Sequence, residues 1–271
     1  MRRAADRAQR KRRLIAIGAV VVALLFVVGF VVAAANTNQT TTATSTTTGT
    51  DQSTTSVTDG PTVTVPTAKG GAAIKGATPC PAADGSSPRT TSFAQAPPTC
   101  IDATTTYDAI VATSEGSFTF LLNTKLAPTA VNNFVVLARY HYWDGTTFSS
   151  ITTDTTAQAG AVLNADGQPG PGYSLPPEYQ QSGSTQGVVI TPGTLAMAPI
   201  SPDSLRYGGE FLITLGNKAT DLPGTTTVIG LMLDDPGNTL GKVNALGTQG
   251  GGPTKLVTVT SVKIVKAPVS K

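Results

Sequence analysis

The sequence predicts a mainly-β protein, a closed antiparallel barrel with helices at its ends, set behind one transmembrane helix and a disordered stalk. Three observations carry this reading. Charged residues make up only 13% of the 271, while 28 Gly and 19 Pro push the composition toward strands, turns and linkers. An uncharged apolar run of membrane length lies near the N-terminus. The C-terminal half alternates short apolar segments with Gly and Pro and is interrupted by only two helix-period patterns.

Residues 1–13 form a basic tip: Arg2, Arg3, Arg7, Arg10, Lys11, Arg12 and Arg13 stand against the single acid Asp6. The formal charge of +3 belongs to this tip, and the rest of the chain is mildly acidic. Beyond the tip no Lys/Arg stripe with interleaved aromatics exists, which argues against a nucleic-acid partner. Residues 14–35 (LIAIGAVVVALLFVVGFVVAAA) carry no charge. As a helix they span roughly 33 Å, matching the ~30 Å hydrocarbon core. The basic cluster before the run, and the lack of basic residues until Lys69, place the N-terminus in the cytoplasm and the rest outside. The alternative is a cleaved signal peptide ending near Ala33-Ala34-Ala35; its apolar region of about 7–15 residues would be shorter, and length favours the uncleaved anchor.

Residues 36–79 read as a linker. Up to Ala68 the segment is rich in Thr and holds no Leu, Ile or aromatic side chain, so it buries too little apolar surface to offset ordering entropy. A glycosylated stalk is the sharper version of this reading, with Asn38-Gln39-Thr40 a weak sequon. Residues 80–106 are a preamble beginning with Cys80 and containing Cys100, the chain's two cysteines. On an oxidising side of a membrane a disulfide is the natural reading, and closing such a loop stabilises by about 3 kcal/mol in the chain-entropy model. The spacing fits no CxxC site, and the single histidine, His141, has no Cys or His neighbours with which to build a zinc site.

The foldable unit is expected over 107–268. Tyr107–Thr113 and Ser117–Leu122 read as a hairpin turning at Ser114-Glu115-Gly116. An amphipathic helix follows from Pro128, with Ala130, Phe134, Leu137 and Ala138 on one face. Strands are expected at Thr147–Ile151, Gly193–Ala198, Glu210–Leu215, Thr226–Leu233 and Lys255–Val265. A short helix, Asn238–Leu246, is expected among them, with Asn238 as N-cap and Leu240, Val243 and Leu246 inward. Such an order describes an antiparallel barrel with helices at its ends.

The run APTAVNNFVVLARYHYWDGTTF, Ala127 to Phe148, resembles the cyclophilin signature, a K-A-P-x-T-V-x-N-F helix leading to a Y-x-G-x-x-F-H-R strand. PGPGY at Pro169–Tyr173, GTLAMA at Gly193–Ala198, GGEFLITLG at Gly208–Gly216 and TTVIGLM at Thr226–Met232 are similar to further family segments and fall in family order. The cysteine-flanked preamble resembles that of membrane-anchored actinobacterial members. The resemblance implies an eight-stranded barrel capped by two helices and peptidyl-prolyl cis-trans isomerase activity with no metal or cofactor. In the family a proline ring sits in an apolar pocket, an arginine points at the prolyl nitrogen, and a glutamine helps hold the carbonyl. That arrangement stabilises the twisted amide by a placed charge.

Transferred to this chain, the implied site is degenerate. The F-H-R segment reads Phe148-Ser149-Ser150, so Ser150 stands at the arginine position. The F-M-x-Q-x-G pattern reads Thr155 and Thr156 at its Phe and Met, keeping Gln158 and Gly160. In the Q-F-F segment Glu210 and Leu212 replace the glutamine and the second phenylalanine; Asp221-Leu222 stands for Trp-Leu and Thr226 for histidine. The resemblance therefore implies Ser150 and Gln158 as the catalytic positions, and Phe148, Thr155, Thr156, Met197, Ala198, Leu212, Leu222 and Thr226 around the substrate.

Strand spacing alone reads Phe148, Met197 and Leu212 as barrel packing. It leaves Gln158 open between a substrate contact and a partner for buried backbone groups. His141 reads as a helix C-terminal residue meeting the dipole, Trp143 as a barrel-end anchor, and Asp234-Asp235 as a turn rather than a calcium site. A rate typical of the family would point either to another alignment at Ser150 or to another donor, such as Arg206 on the loop before Gly208. Two functions follow: a weak extracytoplasmic isomerase acting on Xaa-Pro segments of secreted proteins, or a non-catalytic module that binds extended or Pro-containing peptides or serves only as a surface interaction domain. A nucleophilic or metal enzyme lacks its base and ligands.

Overall fold

The computed structural model describes residues 61–178, 190–201, 204, 206–218, 222 and 226–267. The basic tip, the apolar run 14–35 and Asp221 lie outside the described residues, among which no helix is long and apolar enough to cross a membrane. In chain order the elements are β1 Ala72–Ile74, β2 Thr90–Phe93, β3 Tyr107–Thr113, β4 Gly116–Leu122, α1 Pro128–Arg139, β5 Phe148–Thr152 and β6 Thr156–Ala159. After these come β7 Thr194–Pro199, β8 Tyr207–Thr214, β9 Thr227–Asp234, α2 Thr239–Ala245 and β10 Val259–Lys266.

Eight strands form one antiparallel sheet in the order β10-β3-β4-β9-β7-β8-β6-β5. The sheet curls into a half-barrel, and among the described residues the ladder closure expected from the sequence is absent. The segments at its two ends meet in a single bridge, Thr147 to Thr258, flanked by Phe148 N donating to Val257 O at 2.9 Å and Val259 N to Thr146 O at 2.7 Å. Along the rest of β5 the neighbour is the Gly/Pro-rich loop before β10: Ile151 N donates to Gly251 O at 2.8 Å and Thr153 N to Thr248 O at 3.1 Å. A segment reading GGGPT supplies turns, and its proline has no N–H for a ladder.

Period-2 alternation builds the core. Tyr107, Ala109 and Val111 of β3 and Phe118, Phe120 and Leu122 of β4 are all buried. The two strands join in a tight turn with Thr113 opposite Gly116, and the Thr113 hydroxyl donates to Gly116 O at 2.8 Å. Helix α1 is buried from Ala130 through Ala138, on more faces than an amphipathic stripe provides, because it packs on β9 and β10 while the preamble covers part of its outer side. Trp143 is the expected anchor. It is fully buried, with its ring 4.6 Å from Phe134 and 5.3 Å from Phe211, and its Nε1 donates to Gly209 O at 2.7 Å.

Three local expectations change. Residues 61–79, read as part of the stalk, lie on the sheet: Val63 N donates to Pro253 O, Ala68 bridges Val162, β1 pairs in parallel with β2, and the Tyr140 hydroxyl donates to Pro79 O at 2.8 Å. Arg89 reinforces this, donating to the carbonyls of Lys69 at 3.0 Å and Asp144 at 3.1 Å. Backbone hydrogen bonds to a formed sheet hold a segment too apolar-poor to fold alone. Asn238 sits at the N-cap of α2 with a left-handed backbone and no capping bond; the Asp235 carboxylate caps instead, accepting from Thr239 N at 2.6 Å and Leu240 N at 2.9 Å. His141 lies past the end of α1 at φ 56, and its ring links the Asp144 carboxylate at 2.9 Å to Gly85 O at 2.7 Å, tying the preamble to the loop between α1 and β5.

The preamble is closed by the Cys80–Cys100 disulfide, with Cα atoms 5.4 Å apart. Asn132 of α1 grips it, accepting from Cys100 N at 2.7 Å and donating to Pro98 O at 2.9 Å. From β2, Phe93 enters the core against Tyr140 and Tyr173.

Candidate functional site

Pairing register assembles one row of side chains across five strands. Ser150 of β5 faces Gln158 of β6, Gln158 faces Leu212 of β8, Leu212 faces Ala196 of β7, and Ala196 faces Val228 of β9. The row lies on the outside of the sheet, because its neighbours along each strand, Ile151, Ala157, Phe211, Leu195 and Ile229, fill the interior. A second apolar cluster gathers there, apart from the core: Ala196, Ala198, Leu212 and Val228, with Ile190 and Leu222 packed against them.

A bulge explains why Phe148 and Ser150, two apart on one strand, part company. Phe148 pairs with Ala159 and Ser150 with Gln158, so Ser149 is the extra residue and the alternation resets. Phe148 turns inward against Phe211, ring centroids 6.3 Å apart, and Ser150 turns out. Met197 is likewise fully buried in the interior. Both therefore support the site from beneath, as strand spacing suggested. Leu212 does not belong to the interior; at 6% exposure it is covered on the outer face by its own cluster.

Strand β8 is held from within. Asn133 Nδ2 donates to Gly208 O at 3.1 Å, and Asn133 Oδ1 accepts from the Tyr173 hydroxyl at 2.7 Å. With the Trp143 bond to Gly209, these contacts fix the start of the strand from which Glu210 and Leu212 project. Gly160 must be glycine: its φ is +101, and a Cβ there would stand 2.7 Å from Trp143 Nε1 and 2.8 Å from Gly209 O.

No member of the row is ionisable. The charge bonded to it is Glu210, whose Oε2 accepts from Gln158 Nε2 at 2.6 Å. Burial, then the nearby Glu210 charge, raises the Tyr142 phenol above its ordinary pKa. Ser150 lies under the loop before β10; a Cβ on Gly251 would be 2.7 Å from its hydroxyl. Thr155 occupies the β5–β6 turn, its hydroxyl donating to Thr153 O at 3.3 Å, and Thr156 opens β6 opposite Thr152 and Thr214. The buried Thr226 hydroxyl, two residues before Val228, has no hydrogen-bond partner among the described residues. Arg206 is exposed and held by Ser174, its Nε donating to the Ser174 hydroxyl at 2.7 Å.

Reading the sequence missed Ala196, Val228 and Ile190 as members of this face. Ala196 and Val228 carried a signal, each lying two residues along a strand from a named site residue. It also missed Glu178, which accepts from Thr129 N at 3.0 Å and Ala130 N at 2.7 Å at the start of α1; nothing local marks a cap 48 residues away. Among the described residues no group of three or more His, Cys, Asp or Glu side chains gathers to hold a metal.

The family described as cyclophilin type peptidyl-prolyl cis-trans isomerase/CLD matches residues 109–265, more than half of the chain. A probable peptidyl-prolyl cis-trans isomerase B of Mycobacterium tuberculosis is 34% identical over 166 residues, covering 55% of this chain and 52% of that protein, so the chain spans about half the length of this relative. A peptidyl-prolyl cis-trans isomerase-like 1 of Neurospora crassa is 33% identical over 165 residues, covering 60% of this chain and 93% of the relative. Among solved structures, a cyclophilin type isomerase of Cryptosporidium parvum superposes with a TM-score of 0.51 at 20% identity, covering 60% of this chain and 99% of that one. The same protein in the presence of the dipeptide Ala-Pro gives a TM-score of 0.50 at 21% identity, covering 59% and 99%.

Proposed function

Because this chain belongs to the cyclophilin-type peptidyl-prolyl cis-trans isomerase family, we propose that it binds Xaa-Pro segments of secreted proteins on the outer face of the sheet and isomerises them weakly, from a membrane anchor. The observation that carries the proposal is the row Ser150–Gln158–Leu212–Ala196–Val228, which lays one polar end and one apolar end side by side on a single face. The polar end suits the prolyl amide, and the apolar end takes the proline ring where Ile190 and Leu222 give way. The Thr226 hydroxyl, without a partner among the described residues, adds a group that a peptide carbonyl or N–H can satisfy. A relative of this fold has been solved in the presence of Ala-Pro, which agrees with a prolyl ligand.

Isomerisation is slow because the amide must give up its resonance, against a barrier of about 18–20 kcal/mol. Catalysis then needs a donor aimed at the nitrogen as its lone pair localises. Ser150 offers a neutral, short hydroxyl, and Gln158 has one amide hydrogen committed to Glu210. This donor set supports a low rate. It also favours the second reading, a peptide-binding module without useful turnover.

The anchor and the extracytoplasmic location are supported by the apolar run 14–35 behind a basic tip and by a disulfide suited to an oxidising compartment. Protease added to intact spheroplasts should release the folded domain from the membrane; a protected domain contradicts the location. The binding reading is tested by titrating an isotope-labelled full chain with an Ala-Pro peptide. Shift changes should centre on Ser150, Gln158, Leu212 and Val228, and changes confined to other faces would remove the proposal's basis.

A further inference from the structure

We propose that the outer face carries, beside the proline site, a subsite for one apolar side chain of the bound peptide, about three to five residues from the proline. The inference rests on the peptide-binding reading above and names what that site selects.

Two leucines stand out on this face: Leu121 is 40% and Leu231 47% exposed. Single exposed leucines need no explanation, but a contiguous set marks an interaction surface. Leu121 and Leu231 are paired directly across β4 and β9. They border a cavity of about 400 Å³, further lined by Val228, Gly230, Leu126 and Lys125. That volume lies within the range of roughly 300–1,000 Å³ typical of ligand pockets.

A bulge joins this cavity to the proline site. Opposite β7, Gly230 pairs with Leu195 and Val228 with Ala196, leaving Ile229 as the extra residue. Ile229 fills the core, so Val228 and Leu231, three residues apart, share the outer face. Val228 therefore belongs both to the apolar cluster of the site and to the cavity wall. Gly230 lets β9 lie close against β4, since a Cβ there would stand 2.6 Å from Leu121 O.

Distance selects the occupant. From Leu212 to Val228 is two strand spacings, about 10 Å, and an extended chain covers this in about three residues. A peptide crossing the strands from the proline site thus brings a side chain to the cavity mouth at its third residue, with Leu231 and Leu121 one or two residues further. Continuity through Val228 argues for the peptide over a second copy of the chain.

The test is fluorescence anisotropy with the purified full chain and peptides holding one Xaa-Pro in a Gly/Ser background. A leucine or an aspartate is walked through six positions on each side. Leucine at the third to fifth position on one side should bind about tenfold tighter than aspartate there, about 1.4 kcal/mol. Leu231→Lys, and separately Leu121→Glu, should collapse that ratio to near unity; both positions are exposed, so folding is not at stake. If the unmodified core peptide binds but leucine helps at no position, or the ratio survives both variants, the subsite is refuted while the proline site stands. If no prolyl peptide binds, the proline-site reading fails and the subsite falls with it. Self-association abolished by Leu231→Lys, without any leucine preference, assigns the face to a second copy and overturns the proposal.

Discussion

Gln158 donates its side-chain amide to the Glu210 carboxylate at 2.6 Å, from one strand to a diagonal position on the next. The contact occupies the group that the family resemblance assigns to the substrate carbonyl, and it sets a negative charge beside an amide whose nitrogen becomes electron-rich as it twists. A carboxylate cannot donate to that nitrogen. Glu210→Gln removes the charge and loosens the hold on Gln158. It should raise kcat/KM toward an Xaa-Pro peptide by about five- to tenfold, the weight of one net hydrogen bond. An unchanged or lower value means that Glu210 orients Gln158 for catalysis instead of restraining it.

Restoring the donor alone should achieve little. Ser150→Arg places a guanidinium beneath Gly251, on the strand pair that carries Thr155 and Thr156 where the family resemblance implies the Phe and Met of a proline pocket. Adding Thr155→Phe and Thr156→Met should recover more than the sum of the separate changes, because residues acting as a unit are not additive. A protease-coupled isomerase assay on the single, double and triple variants measures this. Full recovery from Ser150→Arg alone would show that the threonines already form a working pocket.

Strands whose two faces differ were legible in the sequence. Tyr107–Thr113 is found with the expected bounds, Tyr107, Ala109 and Val111 turned to the core. Strand β6 was missed because TAQA has one β-branched residue and no aromatic. The face of Leu212 was not legible because Phe211 and Leu212 are both apolar and both buried, so periodicity cannot say which of them points inward. Bulges hid the rest. One residue at Ser149 separates Phe148 from Ser150, and one at Ile229 brings Val228 and Leu231 together, and neither leaves a compositional mark. Family order named candidate positions; only register showed which of them share a surface.

Asp108 is nearly buried on β3, and its Oδ1 has no hydrogen-bond partner among the described residues. Burial raises its pKa above the ordinary 3.8. The folded state then holds this proton more tightly than the unfolded state does. The favourable contribution is complete below the ordinary value and is lost as pH rises through the raised one. At neutral pH the ionised carboxylate is a net cost. Asp108→Asn should raise Tm by a few degrees at pH 7 and leave it unchanged near pH 3. An equal gain at both pH values would trace the effect to packing and not to charge.

Opening the disulfide should loosen the preamble without unfolding the sheet. The bridge spans 20 residues, worth about 3 kcal/mol in the chain-entropy model, but Asn132 still holds Cys100 and Pro98 without it. In Cys80→Ser/Cys100→Ser, amides of the 80–89 segment should exchange faster while β3, β4 and β10 stay protected. Cooperative loss of protection in those strands would make the preamble part of the folding core.

The central claim is that prolyl peptides bind the outer row and turn over slowly because Ser150 stands where the family places an arginine. Exchange NMR of an Ala-Pro peptide with the full chain measures both properties in one sample. The account predicts saturable binding, with cis-trans exchange faster than in free peptide but on the order of 100- to 1,000-fold below a family member that keeps the arginine, the usual cost of one preorganised donor. Exchange at the rate of such a member, persisting in Ser150→Ala, would contradict it.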